Sequence, residues 1–218
     1  MLLVSSAGGE ELHDEVSGYV FDCIIYYLVR HVLNPCVIVF KEMKILEKFK
    51  YCPVCGSRHF TPNSEKSLFC GNCGFEYFVN PSSANAAFIV NGRGELLIAL
   101  RKKEPAKGTY DLPGGFANED ETVEEGVMRE VMEETGLQIK EAKYLFSCPN
   151  KYCYSGVDIP TLDQFFLCKV DDFSPLKAAD DAAELLWMPV GDIRTELFGL
   201  RSIRNGLRLF MEKYKAGI

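Results

Sequence analysis

Three glutamates on one predicted helix carry the strongest chemical signal in this sequence: Glu130, Glu133 and Glu134. At 100° per residue their side chains fall within about one third of the helix circumference. Clustered carboxylates are hard oxygen ligands that suit Mg²⁺ or Mn²⁺, and these ions can bridge to substrate phosphates. Like charges four residues apart cost a helix a few tenths of a kcal/mol unless a cation lies between them. The spacing therefore favours a metal site over an acidic surface kept for solubility.

A turn and a helix must position these carboxylates. Residues 112–115 are rich in turn formers, and Thr122 with Glu125 three positions later predicts a capping box. Gly136 is expected to end the helix. Gly126 lies one turn before the first glutamate, where a missing side chain is expected to leave room for a metal or ligand. The flank expected to pack against the core consists of Val127, Met128, Val131 and Met132.

The stretch from residue 115 to residue 137 resembles the Nudix box. The matching positions are Gly115, Glu121, Arg129, Glu130, Val131, Glu133, Glu134, Gly136 and Leu137. The resemblance implies a metal-dependent pyrophosphohydrolase that acts on a nucleoside diphosphate linked to another group. It implies that Glu130, Glu133 and Glu134 hold Mg²⁺ or Mn²⁺, and that one of them or a further carboxylate deprotonates the attacking water. Arg129 and Glu121 would orient these ligands.

Four cysteines form two pairs separated by fourteen residues: Cys52 with Cys55, and Cys70 with Cys73. Four thiolates on two tight turns are typical of a zinc ribbon, because Zn²⁺ prefers four soft ligands in a tetrahedron. A module of about thirty residues buries little apolar surface, so on the order of 10 kcal/mol from zinc binding is expected to hold it together. His59 lies between the pairs, but the cysteines already complete the ligand set.

A zinc ribbon directly before a Nudix domain resembles the NADH pyrophosphatase branch of that family. The branch carries a signature shortly after its box, and residues 147–155 fall in the same register. Ser147, Pro149 and Ser155 agree with the signature, and Tyr152 replaces its phenylalanine, whereas its tryptophan and two prolines are missing. The resemblance implies Nudix hydrolase chemistry and leaves the substrate open.

The stretch 147–155 is predicted to be a loop that recognises the substrate. Tyr152 and Tyr154 are expected to stack on a base or nicotinamide ring, although ordinary packing explains them equally well. Lys151 could instead meet a phosphate, which favours ADP-ribose or a nucleotide sugar. An NADH-like dinucleotide is the favoured substrate. The alternative from another functional class is a nucleotide-sensing regulator that has lost catalysis.

Composition limits the partners of the 218-residue chain. Its formal net charge of −7 argues against broad nucleic-acid binding, although a nucleotide-capped RNA end remains compatible with it. The expected partner is therefore a small nucleotide. Nine cysteines without a clear secretion signal indicate a reducing compartment, so we expect a cytoplasmic protein. The sequence leaves the oligomeric state open and allows a homodimer.

Residues 1–42 contain no recognisable motif. The apolar stretch 19–40 is interrupted by charged residues and an Asn-Pro pair, so neither half approaches the roughly 20 residues that a membrane-spanning helix needs. A packed amphipathic helix is one interpretation, and a segment absent from the working protein is another, since Met43 directly precedes the cysteine module. We expect residues 1–42 to be dispensable.

The predicted architecture is a zinc ribbon over 51–80 followed by a Nudix domain over 81–218 with a C-terminal helix. Alternating apolar patterns predict strands at 86–91, 95–101, 143–148, 162–170 and 185–189. The turn formers at 91–94 indicate that the first two strands form a hairpin. Mixed strands with two helices predict an α/β sandwich, and the Nudix resemblance implies the same fold, an α/β/α sandwich with a mixed sheet.

Two further expectations concern the end of the chain. The family often places a carboxylate before a late strand, so Asp181 or Glu184 is expected to complete the site. The C-terminal helix, over 200–213, is expected to cover the core with one apolar face formed by Leu200, Ile203, Leu207, Phe210 and Met211.

Overall fold

The computed structural model describes residues 45–178 and 182–216. The expectations for residues 1–42 and for Asp181 lie outside these ranges. None of the described helices is long and apolar enough to cross a membrane.

The cysteine-rich module folds as a small antiparallel sheet. Its strands are β1 (Phe60–Ser64), β2 (Ser67–Cys70) and β3 (Glu76–Phe78), paired in that order. The fully buried part of its core consists of Cys52, Phe60, Leu68 and Cys70. Two of these four are cysteines, so apolar burial alone gives this module little stability.

The remaining strands form two further three-stranded sheets. In chain order the elements are β4 (Ser82–Ile89), β5 (Glu95–Arg101), β6 (Tyr110–Asp111), α1 (Val123–Thr135), β7 (Glu141–Tyr154), β8 (Val157–Lys169), β9 (Ala182–Pro189) and α2 (Arg201–Lys215). One sheet has the order β4-β8-β7 and the other β6-β5-β9. The β4–β8 pair is parallel, whereas β7–β8, β5–β6 and β5–β9 are antiparallel.

The two helices lie on opposite faces of β4. Ala87 and Ile89 belong to the apolar cluster that contains α1, whereas Phe88 belongs to the cluster that contains α2. Strands that are buried on both faces read as continuous apolar runs, which explains the sequence of this strand. The arrangement confirms the predicted α/β/α sandwich with mixed sheet pairing.

The predicted hairpin between β4 and β5 was wrong. The turn at 91–94 closes, with the Asn91 nitrogen donating to the Glu95 oxygen at 3.0 Å, but only an isolated bridge between Val90 and Leu96 follows it. The strands then separate into different sheets, because β4 pairs with β8 and β5 pairs with β6 and β9. β4 is apolar on both faces, and its pairing with β8 places these faces against the two helices, which an exposed hairpin would not do.

The stretch 147–155 was also assigned wrongly, because most of it is strand and not loop. It forms the second half of β7, in which Tyr152 lies opposite Ile159 on β8. Pro149 is tolerated because β7 is an edge strand, which does not need every backbone donor. Asn150 is buried and donates to Asp163 at 3.3 Å, a tertiary partner that local sequence does not reveal.

The C-terminal helix forms as predicted. Ile203, Leu207 and Phe210 are buried on one face of α2, and Leu200 and Met211 pack beside them. The Phe210 ring stacks on Phe88 of β4 with ring centroids 4.0 Å apart. This contact fixes α2 against β4.

Candidate active site

The glycine turn before α1 is bound along the edge of β4. The Asn85 nitrogen donates to the Gly115 oxygen and the Ala87 nitrogen to the Pro113 oxygen, both at 2.8 Å. Gly114 has φ +147°, and a Cβ added there would lie 2.2 Å from the Asn85 oxygen. Only glycine fits so close to the strand. The turn is therefore fixed relative to the central sheet.

The predicted capping box opens α1. The Thr122 hydroxyl accepts from the Glu125 nitrogen at 3.2 Å, and the Glu125 carboxylate accepts from the Thr122 nitrogen at 2.8 Å. Gly136 ends the helix in the left-handed conformation. Val127 and Val131 are buried, but Met132 is 43% exposed, so its place on the packed flank was predicted wrongly. The buried stripe is centred on Val127, and Met132 lies about 140° around the helix from that residue.

Glu134 is the most buried of the three glutamates, at 8% exposure. It lies seven residues after Val127, which returns the helix to nearly the same angle and places its carboxylate beside the core. Its Oε2 accepts a hydrogen bond from the Gly114 nitrogen at 3.0 Å. The helix and the glycine turn together fix this carboxylate.

Glu130 lies against the same turn. A Cβ added to Gly115 would lie 2.5 Å from the carboxyl carbon of Glu130, so a side chain there would displace this carboxylate. Glu133 is exposed. All three carboxylates line one cavity of about 500 Å³. Three carboxylates beside a turn that lacks side chains form a donor set that suits a hard divalent cation.

Arg129 connects the acidic side chains of the box. Its guanidinium donates to Glu121 at 2.6 and 2.9 Å, to Glu130 at 2.9 Å and to Glu133 at 3.0 Å. It also donates to the Phe116 oxygen at 3.0 Å, which ties the helix to the loop before it. The structure therefore brings together all five residues of the box that were predicted as catalytic.

The space beside Gly126 is filled by protein and not by a vacant site. A Cβ at this position would lie 3.0 Å from Asn85 Nδ2 and 3.0 Å from Glu121 Oε1. The expectation that this glycine makes room for a metal or ligand was therefore wrong. Its small size lets α1 approach β4 and the loop carboxylate closely.

Glu121 makes a pH-dependent contribution to stability. Hydrogen bonds from Arg129, and then from the Asn118 backbone, lower the pKa of Glu121 to about 2. A carboxylate with a lowered pKa stabilises the fold above its ordinary pKa, near 4.5, and loses this contribution as the pH falls toward 2. We expect Glu121→Gln to destabilise the protein at pH 7, with the difference from wild type shrinking between pH 4.5 and 2.

Urea denaturation over this pH range measures the difference in free energy of unfolding. Glu119→Gln is the matched control, because Glu119 is an exposed carboxylate in the same loop. A wild-type advantage over Glu121→Gln that stays constant down to pH 2 contradicts the assigned ion pair.

The wall opposite the glutamates is polar and was not found from the sequence. Arg101 at the end of β5 forms an ion pair with Asp111, and the two side chains are only 17% and 10% exposed. Burial raises the pKa of Asp111, although Arg101 opposes this shift. Asp163 accepts hydrogen bonds from Thr161 at 2.6 Å and from Ser202. One local indication of this wall was present in the sequence, the position of Asp111 directly before the glycine turn.

An aromatic pair completes the cavity. The Phe116 and Tyr152 rings meet edge to face with centroids 5.4 Å apart, and both residues line the cavity. Tyr154 also lines it, whereas Lys151 is exposed and is not part of the lining, because neighbouring strand residues point to opposite faces. The structure thus places two of the three predicted substrate-binding residues at the cavity.

Asn85 lines the cavity, and its buried Nδ2 has no hydrogen-bond partner within the described part of the chain. A buried donor without a partner is costly, which marks this wall as a place where a ligand or water is expected.

Glu184 is exposed and does not line the cavity. The expectation that it completes the site has no support from this geometry.

The four predicted cysteines form a second, separate cluster. Their sulfur atoms all lie within 4.8 Å of one another. The Sγ distance is 3.7 Å between Cys52 and Cys73 and 3.6 Å between Cys55 and Cys70. A zinc–sulfur bond of about 2.3 Å implies tetrahedral sulfur spacings of about 3.8 Å, so the cluster fits a tetrahedral metal. The predicted grouping of these residues is confirmed.

Hydrogen bonding favours the thiolate form of one cysteine in this cluster. The Asn72 amide donates to Cys55 Sγ at 3.5 Å and is the main cause that lowers the pKa of Cys55 to about 6. Thiolates, and not thiols, ligate metals. His59 is exposed and lies outside the group of four sulfurs.

Comparison with known proteins agrees with this geometry. A NUDIX domain model matches residues 80–209. The protein named NAD-capped RNA hydrolase NudC from Shigella boydii serotype 18 is 28% identical over 128 residues, which cover 56% of this chain and 49% of that protein. Its namesake from Shigella flexneri is 31% identical over 100 residues, or 46% of this chain and 38% of that protein. The chain thus spans about half the length, or less, of these curated relatives.

Solved structures share the fold. A NUDIX hydrolase from Nitrosomonas europaea aligns with a TM-score of 0.62 at 22% identity, covering 78% of this chain and 94% of that one. The MutT protein from Methanosarcina mazei Go1 aligns with a TM-score of 0.52 at 26% identity, covering 64% and 99%. Because the family model covers more than half of the sequence and the box geometry is intact, the chain belongs to the NUDIX domain family.

Proposed function

We propose that this protein is a Mg²⁺- or Mn²⁺-dependent pyrophosphohydrolase that cleaves a nucleoside diphosphate linked to another group, with an NADH-like dinucleotide favoured. One observation carries the proposal. The three carboxylates of α1 and the aromatic pair of Phe116 and Tyr152 line the same cavity of about 500 Å³. A cavity of this size accommodates a nucleotide and joins groups suited to phosphates with groups suited to a ring.

The chemistry follows from the positions of the box residues. A divalent ion held by Glu130, Glu133 and Glu134 would polarise the pyrophosphate and lower the pKa of water. Arg129 orients two of these carboxylates, and the Gly114 amide orients the third. One carboxylate then accepts the proton of the attacking water. The buried position of Glu134 limits its motion and keeps its oxygens directed at the turn.

The choice of substrate rests on the aromatic wall and on the relatives. Stacking of a base or nicotinamide ring on Tyr152 favours a dinucleotide. The relatives are named NAD-capped RNA hydrolases, which supports a substrate that contains a nicotinamide ring. Their name also extends the proposal to a nucleotide-capped RNA end. ADP-ribose or a nucleotide sugar stays as the alternative, but Lys151 no longer supports it because it does not line the cavity.

The remaining assignments complete the proposal. We assign residues 51–80 to a ribbon stabilised by Zn²⁺ and residues 81–218 to the Nudix domain. None of the seven described cysteines forms a disulfide, in keeping with a reducing compartment such as the cytoplasm. Complete carboxylate geometry supports an enzyme over a sensor, because a sensor does not need three clustered carboxylates.

Turnover of a nucleotide panel with Mg²⁺ or Mn²⁺ tests the proposal. The panel contains NADH, NAD⁺, ADP-ribose and a nucleoside triphosphate, and the products are separated by chromatography. We expect hydrolysis of the dinucleotides that stops in excess EDTA. A wide preference for the triphosphate contradicts the NADH-like assignment, and no hydrolysis of any compound contradicts the enzyme.

Tyr152→Ala is expected to change selectivity more than catalysis. Loss of one stacking contact removes about 1–3 kcal/mol of binding, so KM for NADH should rise by about five- to a hundredfold with kcat little changed. Tyr144→Ala is the matched control, since Tyr144 is a half-exposed tyrosine of β7 that does not line the cavity. If Tyr152→Ala leaves the kcat/KM ratios across the panel unchanged, β7 does not take part in substrate recognition.

A further inference from the structure

Asp163 is a buried carboxylate in the wall of the cavity. It lies on β8, is 6% exposed and belongs to the cavity lining. Its Oδ1 accepts a hydrogen bond from the Thr161 hydroxyl at 2.6 Å. Its Oδ2 accepts from the Asn150 amide at 3.3 Å and from the Ser202 hydroxyl. Neighbours on β7, β8 and α2 therefore fix this side chain.

The positions of these donors indicate which oxygen of Asp163 faces the cavity. Asn150 and Ser202 do not line the cavity, so Oδ2, which they hold, lies on the side away from it. Thr161 does line the cavity, and Oδ1 lies beside its hydroxyl. A carboxylate offers about four acceptor positions, two on each oxygen. The three hydrogen bonds leave one position, and it belongs to the oxygen on the cavity side.

The donors that hold Asp163 are uncharged. They are two hydroxyls and one amide, and the arginine of the same wall, Arg101, forms its ion pair with Asp111. A hydrogen bond to an ionised acceptor is roughly twice as strong as one between neutral groups. The remaining acceptor position of Asp163 is therefore suited to an N–H donor on a ligand.

Asp163 lies on the same sheet face as the tyrosine proposed to bind the substrate ring. Tyr152 pairs with Ile159 on β8, and Asp163 follows Ile159 by four positions. Side chains at alternate positions of a strand share one face. A ring that packs on Tyr152 thus lies over the face that carries the carboxylate, and both residues line the same cavity.

We propose that Asp163 is a substrate-binding residue that accepts a hydrogen bond from an amino group on the ring of the substrate and so selects rings that carry one. The proposal rests on the proposed function, since it assumes that a nucleotide ring enters this cavity. In a dinucleotide such as NAD⁺ the amino group belongs either to the carboxamide of nicotinamide or to position 6 of adenine. A ring without it leaves a buried acceptor unpaired, which a polar site penalises strongly.

The experiment compares the affinities of two pairs of ligands. NAD⁺ is paired with nicotinic acid adenine dinucleotide, which has a carboxylate in place of the carboxamide. ADP-ribose is paired with its purine analogue that lacks the 6-amino group. Calorimetry with Mg²⁺ in a Glu134→Gln background measures binding while hydrolysis is slow. With Asp163 intact, we expect the amino-bearing member of at least one pair to bind about ten- to a hundredfold more tightly, and the pair that responds identifies the ring.

Asp163→Asn tests whether the carboxylate causes this preference. Asn150 and Ser202 donate to the inner oxygen, so the new amide should place its oxygen there and its NH₂ group beside the Thr161 hydroxyl, which can accept. The cavity then meets a donor in place of an acceptor. The preference for the amino-bearing ligand should fall by about tenfold or more. Asp158→Asn is the matched control, because Asp158 also lies on β8 but does not line the cavity, and it should keep the original preference.

Thr161→Val covers the case in which Asp163→Asn does not fold. It removes the internal donor to Oδ1 and leaves the carboxylate in place, so the preference should rise by about two- to fivefold. Equal binding within both pairs with Asp163 intact, an unchanged preference in Asp163→Asn, or a preference that fails to rise in Thr161→Val overturns the proposal. Binding of none of the four compounds also overturns it. If the preference depends on Asp163 but the wild type hydrolyses no compound, the proposal stands and the enzyme alone is contradicted.

Discussion

Glu134→Gln is expected to lower kcat by about 10²- to 10⁴-fold while the protein stays folded. The amide has the volume of the carboxylate and can still accept the hydrogen bond that the Gly114 nitrogen donates at 3.0 Å. It carries no negative charge, so it binds a divalent cation weakly and cannot take a proton from water. The effect should therefore fall on the chemical step.

Steady-state kinetics with NADH or ADP-ribose and Mg²⁺ measure this loss, and thermal unfolding checks the fold. Glu124→Gln is the matched control, since Glu124 is an exposed glutamate in the first turn of the same helix. It should keep wild-type turnover. Full activity of Glu134→Gln, or of the wild type in excess EDTA, would show that the acidic helix is not the catalytic centre.

Cys70→Ser is expected to have the largest effect on stability. Cys70 is fully buried and its sulfur lies 3.6 Å from that of Cys55. If Zn²⁺ supplies on the order of 10 kcal/mol to this module, the loss of one of four ligands should cost about 3 kcal/mol or more. The small apolar core around Phe60 and Leu68 cannot replace that contribution.

Metal analysis and hydrogen exchange test this expectation. The wild type should contain one zinc per chain, and the variant should contain less and lose protection across β1 to β3. The matched control is Cys153→Ser, because Cys153 is an exposed cysteine outside the cluster. A well-folded wild type without zinc, or a Cys70→Ser variant that keeps the protection of β1 to β3, contradicts a structural zinc site.

The parts of the site that were predictable from the sequence are those with local causes. A capping box needs only Thr122 and Glu125, and a left-handed helix end needs only Gly136. The paired cysteines are equally local, because each knuckle brings its own two sulfurs together. The structure places these elements, and the carboxylates on α1, where the sequence predicts them.

The remaining features depend on contacts between distant residues. Asp163 meets Ser202 across 39 positions, so no motif links them. Pro149 and Asn150 read as loop residues, and only pairing with β8 makes them part of a strand. The burial of Glu134 was not predictable from the sequence, because it depends on the packing of α1 beside β4 and the glycine turn. Sequence patterns describe local geometry, and these positions are determined by tertiary packing.

The parallel pairing of β4 with β8 also determines when the active site can form during synthesis. Ser82 lies opposite Thr161, about 80 residues later, and α2 must still follow before Ser202 reaches Asp163. The strand pairs and sulfur contacts of the cysteine module lie between residues 52 and 78, so this module can fold once residue 78 has left the ribosome. A nascent chain can therefore carry a finished metal-binding module well before its catalytic cavity is able to form.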